Sequence, residues 1–192
     1  LLKGVTGSGK TEVYMKMVEE ALQQNQSAIV LVPEISLTPQ MIERFKGRFG
    51  KDVAVFDSRL SDGERYDEWY RVKNDQVKVV IGARSAIFLP FNDLGLIVVD
   101  EEHESSYKSD MNPKYNTIEV CEYLSVLKNC KVVLGSATPS VVSFYKALKG
   151  NYDFIDLKKR ANNLELHNVS IVDMRKELKS NNNTQFSRDL YL

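Results

Sequence analysis

LLKGVTGSGKTEVYM, residues 1–15, sets three glycines, Gly4, Gly7 and Gly9, between a short apolar start and an amphipathic run. Leu1–Lys3 reads as the end of a strand, Gly4–Gly9 as a turn, and Lys10 onward as a helix. Within it, GVTGSGKT fits the spacing G-x-x-x-x-G-K-[ST], with Gly4, Gly9, Lys10 and Thr11 at the fixed positions. Glycine lets the backbone turn its N–H groups inward around phosphate oxygens, and the helix N-terminus adds a favourable dipole. In that chemistry Lys10 reaches the β- and γ-phosphates and the Thr11 hydroxyl ligates Mg²⁺. Gly4, Val5, Thr6, Gly7, Ser8, Gly9, Lys10 and Thr11 are therefore the candidate phosphate loop. The plain alternative is a flexible glycine-rich connection, but four fixed positions between a strand and a helix favour nucleotide binding.

Working outward, short β-branched runs alternate with longer amphipathic stretches. Ser27–Val32, Val53–Phe56, Val77–Ile81, Leu94–Val99 and Lys131–Leu134 read as strands, and their near-continuous apolar character suits a sheet covered on both faces. Thr11–Gln24, Leu37–Phe49, Ser61–Asn74 and Thr117–Leu127 carry helical spacing. This order predicts an α/β fold with a parallel, doubly wound sheet, which binds ligands at the carboxyl ends of its strands. Further on, Ser140–Lys149 is a predicted helix, Asp153–Leu157 and Val169–Val172 are predicted strands, and Ser180–Gln185 (SNNNTQ) reads as loop. Trp69 and Tyr70 are expected in the core of the Ser61–Asn74 helix, the other reading being a base-stacking platform. His167 belongs to no motif and is expected at the surface.

At 192 residues and 43% hydrophobic, the chain can bury one sizeable core. Lys plus Arg and Asp plus Glu are both 26, so no overall basic excess announces a nucleic-acid partner and any polyanion must be bound locally. Cys121 and Cys130 stand apart, without a Cys-x-x-Cys spacing or paired histidines, and read as reduced structural thiols of a cytoplasmic protein; no zinc site is expected in this chain. No apolar run has the length of a membrane span. The start at Leu1, with neither initiator Met nor leader, reads as a fragment.

A phosphate loop is shared by kinases, GTPases, ATPases and helicases, so a second motif has to decide among them. LGLIVVDEEH, Leu94–His103, is an apolar strand ending in three carboxylates and a histidine. At the carboxyl end of the strand Asp100 is placed to hold Mg²⁺ through water. Glu101 is the candidate to orient and deprotonate the attacking water, because phosphoryl transfer rests on positioning and charge stabilisation. With Lys10 these form the candidate catalytic set. Glu102 and His103, completing the DEEH box, are expected to face neighbouring motifs. GSATPS, Gly135–Ser140, follows the next strand, and Ser136 and Thr138 are candidates to sense the state of Asp100–His103. The plain readings are a solvated acidic turn and a common Ser/Thr-Pro turn.

Phosphate loop, then D-E-x-H, then S-A-T is the order of superfamily 2 helicases and translocases. The detail is closer: LVPEISLTPQM (Leu31–Met41), LSDGER (Leu60–Arg65), IGARSAIFLPF (Ile81–Phe91), DEEHESSYK (Asp100–Lys108), PKYN (Pro113–Asn116), LGSATPS (Leu134–Ser140) and VDMRKE (Val172–Glu177) resemble the PriA (primosomal protein N′) family of replication-restart helicases. The resemblance implies a RecA-like first motor lobe over residues 1–150. Residues 151–192 would then be the end of the lobe and the start of a connection. It further implies an ATP- and Mg²⁺-dependent 3′-to-5′ DNA helicase that acts on stalled forks and initiates primosome assembly. By the same resemblance, the Gly135–Ser140 strand lies between the phosphate-loop strand and the DEEH strand. Pro33–Thr38 and Gly82–Ser85 correspond to segments that contact DNA phosphates, which makes Ser36, Thr38, Arg84 and Ser85 candidate contacts. The alternatives are an internal ion pair for Arg84 and helix capping for Ser36 or Thr38. Tyr107 is a candidate to pass nucleotide state to DNA. Implied partners are forked or single-stranded DNA, primosome proteins and single-strand DNA-binding protein, without a membrane, in a bacterial cytoplasm at the nucleoid. A fork-binding region would precede Leu1; a zinc-binding insertion and a second motor lobe carrying catalytic arginines would follow Leu192. The isolated chain is expected to bind nucleotide but hydrolyse it poorly.

Two departures stand out: Asp57-Ser58 where the family has His-Ser, and Thr117-Ile118 where an arginine is usual. Both fall where the resemblance implies a DNA or inter-motif contact. Other readings are another P-loop ATPase or translocase, a small-molecule kinase, which needs an acceptor pocket and an arginine-bearing lid, and a bare binding platform. A GTPase would need D-x-x-G and N-K-x-D, and the chain has neither.

Overall fold

The computed structural model describes residues 1–159 and 170–191. His167 and Val169 lie outside them. The chain divides into two compact units, Leu1–Asn162 and Asn163–Leu192.

The first unit is built on seven strands: β1 (Leu2–Gly4), β2 (Ser27–Leu31), β3 (Val53–Phe56), β4 (Val79–Gly82), β5 (Leu94–Val99), β6 (Lys131–Ser136) and β7 (Ile155–Leu157), in the spatial order β3-β4-β2-β5-β6-β1-β7. Every pairing is parallel. Among its described residues the α-helices are α1 (Lys10–Gln23), α2 (Pro39–Phe49), α3 (Asp62–Lys73), α4 (Thr117–Lys128) and α5 (Val141–Leu148). The central strands β2, β4 and β5 are buried along their whole length. Side chains alternate between faces of a strand, so a continuous apolar run fills two cores at once. Ala28, Val30, Leu96 and Val98 pack on one face with Tyr14, Val18 and Ala21 of α1 and Phe45 of α2. Ile29, Leu31, Ile97 and Val99 pack on the other with Val72 of α3 and Cys121 of α4.

The expected elements are present, with shifts that have local causes. α2 begins at Pro39, not Leu37, because the Thr38 hydroxyl accepts a hydrogen bond from the Met41 N–H (3.3 Å) and proline suits the first helical position. β6 runs on to Ser136, since Gly135 and Ser136 pair with Leu2 and Lys3 of β1. β7 is shorter than Asp153–Leu157. The strand expected over Val169–Val172 does not form at 170–172. β6 lies between β1 and β5, as the resemblance implied. Trp69 packs partly against the core, but Tyr70 is 48% exposed and stacks on Tyr66 (centroids 6.3 Å apart), which corrects its expected burial.

The second unit holds a short helix, α6 (Met174–Lys179), which sequence periodicity did not announce. Glu177 accepts hydrogen bonds from Asn182 Nδ2 (2.8 Å) and from the Arg188 backbone N–H (3.0 Å) and side chain. The Arg188 and Asn182 donors hold its carboxyl at about 2. Turns and bends occupy Ser180–Gln185.

Candidate functional site

The carboxyl ends of β1, β5 and β6 bring the candidate residues together. Gly7 and Gly9 hold φ of 79° and 91°, left-handed values that glycine takes without a Cβ penalty, and Gly9 stands at the N-terminus of α1. At Gly4 a Cβ would stand 2.4 Å from Ser8 Oγ and 3.1 Å from Leu157 Cβ, so a larger residue would push the Ser8 side chain out of its place in the loop. Ser8 Oγ is buried and has no hydrogen-bond partner among the described residues. A buried hydroxyl left unpaired is costly, and a phosphate oxygen would satisfy it. Lys10 Nζ donates to the Gly4 carbonyl at 2.8 Å and lies 3.6 Å from Glu101 Oε1. These features fit a nucleotide phosphate.

Asp100 and Glu101 share with the loop a cavity of about 440 Å³, lined also by Gly7, Lys10, Thr11 and Arg44. Asp100 Oδ1 accepts a hydrogen bond from the Tyr14 hydroxyl at 2.9 Å. Burial raises the Asp100 carboxyl above its ordinary value, with Tyr14 and Lys10 opposing. The Tyr14 hydroxyl is raised in turn by burial and by Asp100. Tyr14 reaches Asp100 past Gly135, where a Cβ would stand 1.7 Å from its hydroxyl. Thr11 and Asp100 give at most two protein ligands to a metal, a count that suits Mg²⁺, which keeps waters and phosphate oxygens around it.

Glu101 takes φ of 45°, a left-handed conformation for a non-glycine residue. That turn sends the next two side chains toward the GSATPS segment. Glu102 is buried and accepts hydrogen bonds from the Ser140 N–H (2.7 Å) and from the hydroxyls of Ser140 (3.1 Å) and Ser143 (2.9 Å). His103 Nδ1 shares a hydrogen bond with Ser136 Oγ at 2.8 Å, and Thr138 Oγ1 lies 3.5 Å from His103 Nε2. His103 thus joins Ser136 and Thr138 in one hydrogen-bonded group, while Glu102 ties the same segment down at Ser140 and Ser143.

The DNA-contact candidates fall elsewhere on the same edge. Arg84 makes no ion pair among the described residues; its Nη1 donates to the carbonyls of Ser106 (3.0 Å) and Lys108 (2.7 Å). It lines a cavity of about 240 Å³ with Pro33, Glu104 and Tyr107. Ser36 and Ser85 are half-buried, and Thr38 caps α2. Tyr107 is buried, and its hydroxyl donates to the Asp100 carbonyl at 2.7 Å. The departing residue Asp57 is buried and accepts from the Arg59 N–H (2.9 Å) and Nε (2.8 Å), while Ile118 packs against the core. Sequence reasoning missed Tyr14 and Arg44. An inward tyrosine on an amphipathic helix and an arginine on a polar face carry no signal of their own.

The sequence profile of the DEAD/DEAH box helicases matches residues 1–145. The chain belongs to the DEAD/DEAH box helicase family. This helicase-family chain is 55% identical over 190 residues to the Replication restart protein PriA of Bacillus subtilis, covering 99% of this chain and 24% of that protein. Against the Replication restart protein PriA of Synechocystis the identity is 48% over 195 residues, with coverage of 99% and 24%. The chain therefore spans about a quarter of the length of the curated relatives it matches. Among solved structures, the Hef helicase domain of Pyrococcus furiosus superposes with a TM-score of 0.62 at 20% identity, over 84% of this chain and 35% of that one, which shows the fold. RecG, solved bound to a three-way DNA junction, gives 0.57 at 25% identity over 82% and 20%. Helicases of this family are ATPases that use a nucleotide with Mg²⁺. Among the described residues no helix is long and apolar enough to cross a membrane.

Proposed function

We propose that this chain is the first, ATP-binding motor lobe of an ATP-dependent 3′-to-5′ DNA helicase that restarts stalled replication forks and initiates primosome assembly. The observation that carries the reading is the joining of the phosphate loop, the DEEH box and the Ser136–Thr138 segment at one sheet edge, in a chain 55% identical to a replication restart protein. Residues 1–150 are the lobe, and 151–192 its end and the start of a connection toward a zinc-binding region and a second motor lobe.

In this reading the backbone N–H groups of Gly4–Thr11 and the Lys10 ammonium bind the nucleotide phosphates. Thr11 and Asp100 hold Mg²⁺, which when bound neutralises charge on the phosphate oxygens. Glu101 orients the attacking water and accepts its proton. Glu102 anchors the start of α5, and His103 reports to Ser136 and Thr138. Ser36, Thr38, Arg84 and Ser85 face the phosphates of single-stranded or forked DNA without reading its sequence. Arg84 acts there while it holds the carbonyls of Ser106 and Lys108, next to Tyr107. Partners are primosome proteins and single-strand DNA-binding protein, in the bacterial cytoplasm at the nucleoid.

The test is calorimetric titration of the chain with a Mg²⁺–nucleotide. The wild type is expected to bind and Lys10→Ala to lose binding with its circular dichroism unchanged. Equal binding by both proteins would overturn the phosphate-loop reading.

A further inference from the structure

Two arginines stand one turn apart on the side of α2 that meets α1, and they are treated very differently. Arg48 is fully engaged: its Nε donates to Glu19 at 2.6 Å and its Nη1 pairs with Glu12 and lies 3.8 Å from Met15 Sδ. These contacts fix α2 against the helix that the phosphate loop begins. Phe45, wholly buried in the core against α1 and the sheet, fixes its rotation. Arg44 makes no hydrogen bond or ion pair among the described residues. Yet it lines the cavity that contains Gly7, Lys10, Thr11, Asp100 and Glu101. A guanidinium without a partner, carried on a helix with both position and rotation fixed, is arranged for a ligand.

The topology says which part of the ligand it meets. α2 leaves β2, and in the order β2-β5-β6-β1-β7 the strand β2 borders β5, which ends in Asp100. Arg44 therefore approaches from the Asp100–Glu101 side, where a triphosphate bound along the loop would place its terminal phosphate. Charge points the same way. Glu12, Asp100 and Glu101 line the cavity with negative charge, and Lys10 is drawn toward Gly4 and Glu101. A terminal phosphate on that side needs a further cation, and the planar fork of arginine matches phosphate oxygens in pairs.

We propose that Arg44 binds the terminal phosphate of the nucleotide, so that this lobe by itself tells a triphosphate from a diphosphate. This rests on the phosphate-loop reading above and extends it to nucleotide discrimination. The test is calorimetric titration of the wild-type chain, Arg44→Ala, Arg44→Lys and Lys10→Ala with Mg²⁺ and either ADP or a non-hydrolysable ATP analogue. Arg44→Ala is expected to weaken the triphosphate on the order of 10-fold and to move ADP less than about 2-fold, the loss of one charge-assisted contact. Arg44→Lys, which keeps the charge without the fork, is expected to fall between. If Arg44→Ala leaves the triphosphate unchanged while Lys10→Ala abolishes binding, the role of Arg44 is wrong and the phosphate loop stands. Equal weakening of both nucleotides would also overturn discrimination by Arg44. Failure of the wild type to bind either nucleotide would overturn both readings.

Discussion

Glu101 is held in a left-handed conformation that costs a residue with a Cβ about 1–2 kcal/mol. The strain sits where the chain must send consecutive carboxylates apart. Asp100 meets Tyr14, Glu101 stays within 3.6 Å of Lys10, and Glu102 goes to α5. Asp57 shows the opposite, a charge settled in a satisfied place. Burial raises its carboxyl, but hydrogen bonds from the Arg59 side chain and backbone outweigh that and bring it below its ordinary value of 3.8. A carboxylate lowered in the folded state adds stability above its unfolded value and loses it as pH falls through the folded one. Asp57→Asn is therefore expected to cost about 1 kcal/mol at neutral pH, less than a fully buried charge-assisted hydrogen bond because the partner Arg59 is exposed to solvent. Urea unfolding should show the difference closing as the pH drops below 3.8; a constant difference would contradict the assignment. The loop glycines, Lys10 and the DEEH box were legible because each is a run of neighbours with fixed chemistry. Tyr14, Arg44 and the Arg59 partner of Asp57 were not, because their meaning lies in side-chain contacts that no local pattern encodes.

At the scale of elements, α5 is the piece tied to the chemistry. Its sequence, VVSFYKAL, is apolar on most sides, and Val141, Val142, Tyr145 and Leu148 are exposed. What fixes its start is polar. The Glu102 carboxylate takes the Ser140 N–H and the hydroxyls of Ser140 and Ser143. Removing such an acceptor leaves buried donors unpaired, so Glu102→Ala is expected to destabilise the protein by about 2 kcal/mol. Faster hydrogen exchange at the first turn of α5 than in α1 should accompany it. Uniform loosening of both helices would show that Glu102 is not specific to α5. The strands were legible by composition because burial on both faces leaves no polar alternation to misread. Their ends were not: β6 extends by two residues only because β1 needs a partner, and α2 starts late only because Thr38 caps it.

At the scale of the whole chain, equal numbers of acidic and basic residues leave affinity for DNA to local donors. In GTPases that share the phosphate loop, an arginine finger supplied to the γ-phosphate speeds hydrolysis about 10³-fold or more. The chain is therefore expected to bind Mg²⁺–ATP yet release phosphate slowly, with or without forked DNA. Brisk DNA-stimulated turnover in a phosphate-release assay would show that the lobe needs no further cation. The sheet order also has a consequence in time. β1 opens the chain and leads straight into the phosphate loop, but its two neighbours are β6 and β7, and Leu157 of β7 approaches Gly4 itself. A ribosome delivers β1 well before its partners β6 and β7, so the half of the sheet around β2 can assemble while β1 still waits. Nucleotide can help this lobe fold only after Leu157 has emerged, which makes a strand synthesised before the other six one of the last to settle.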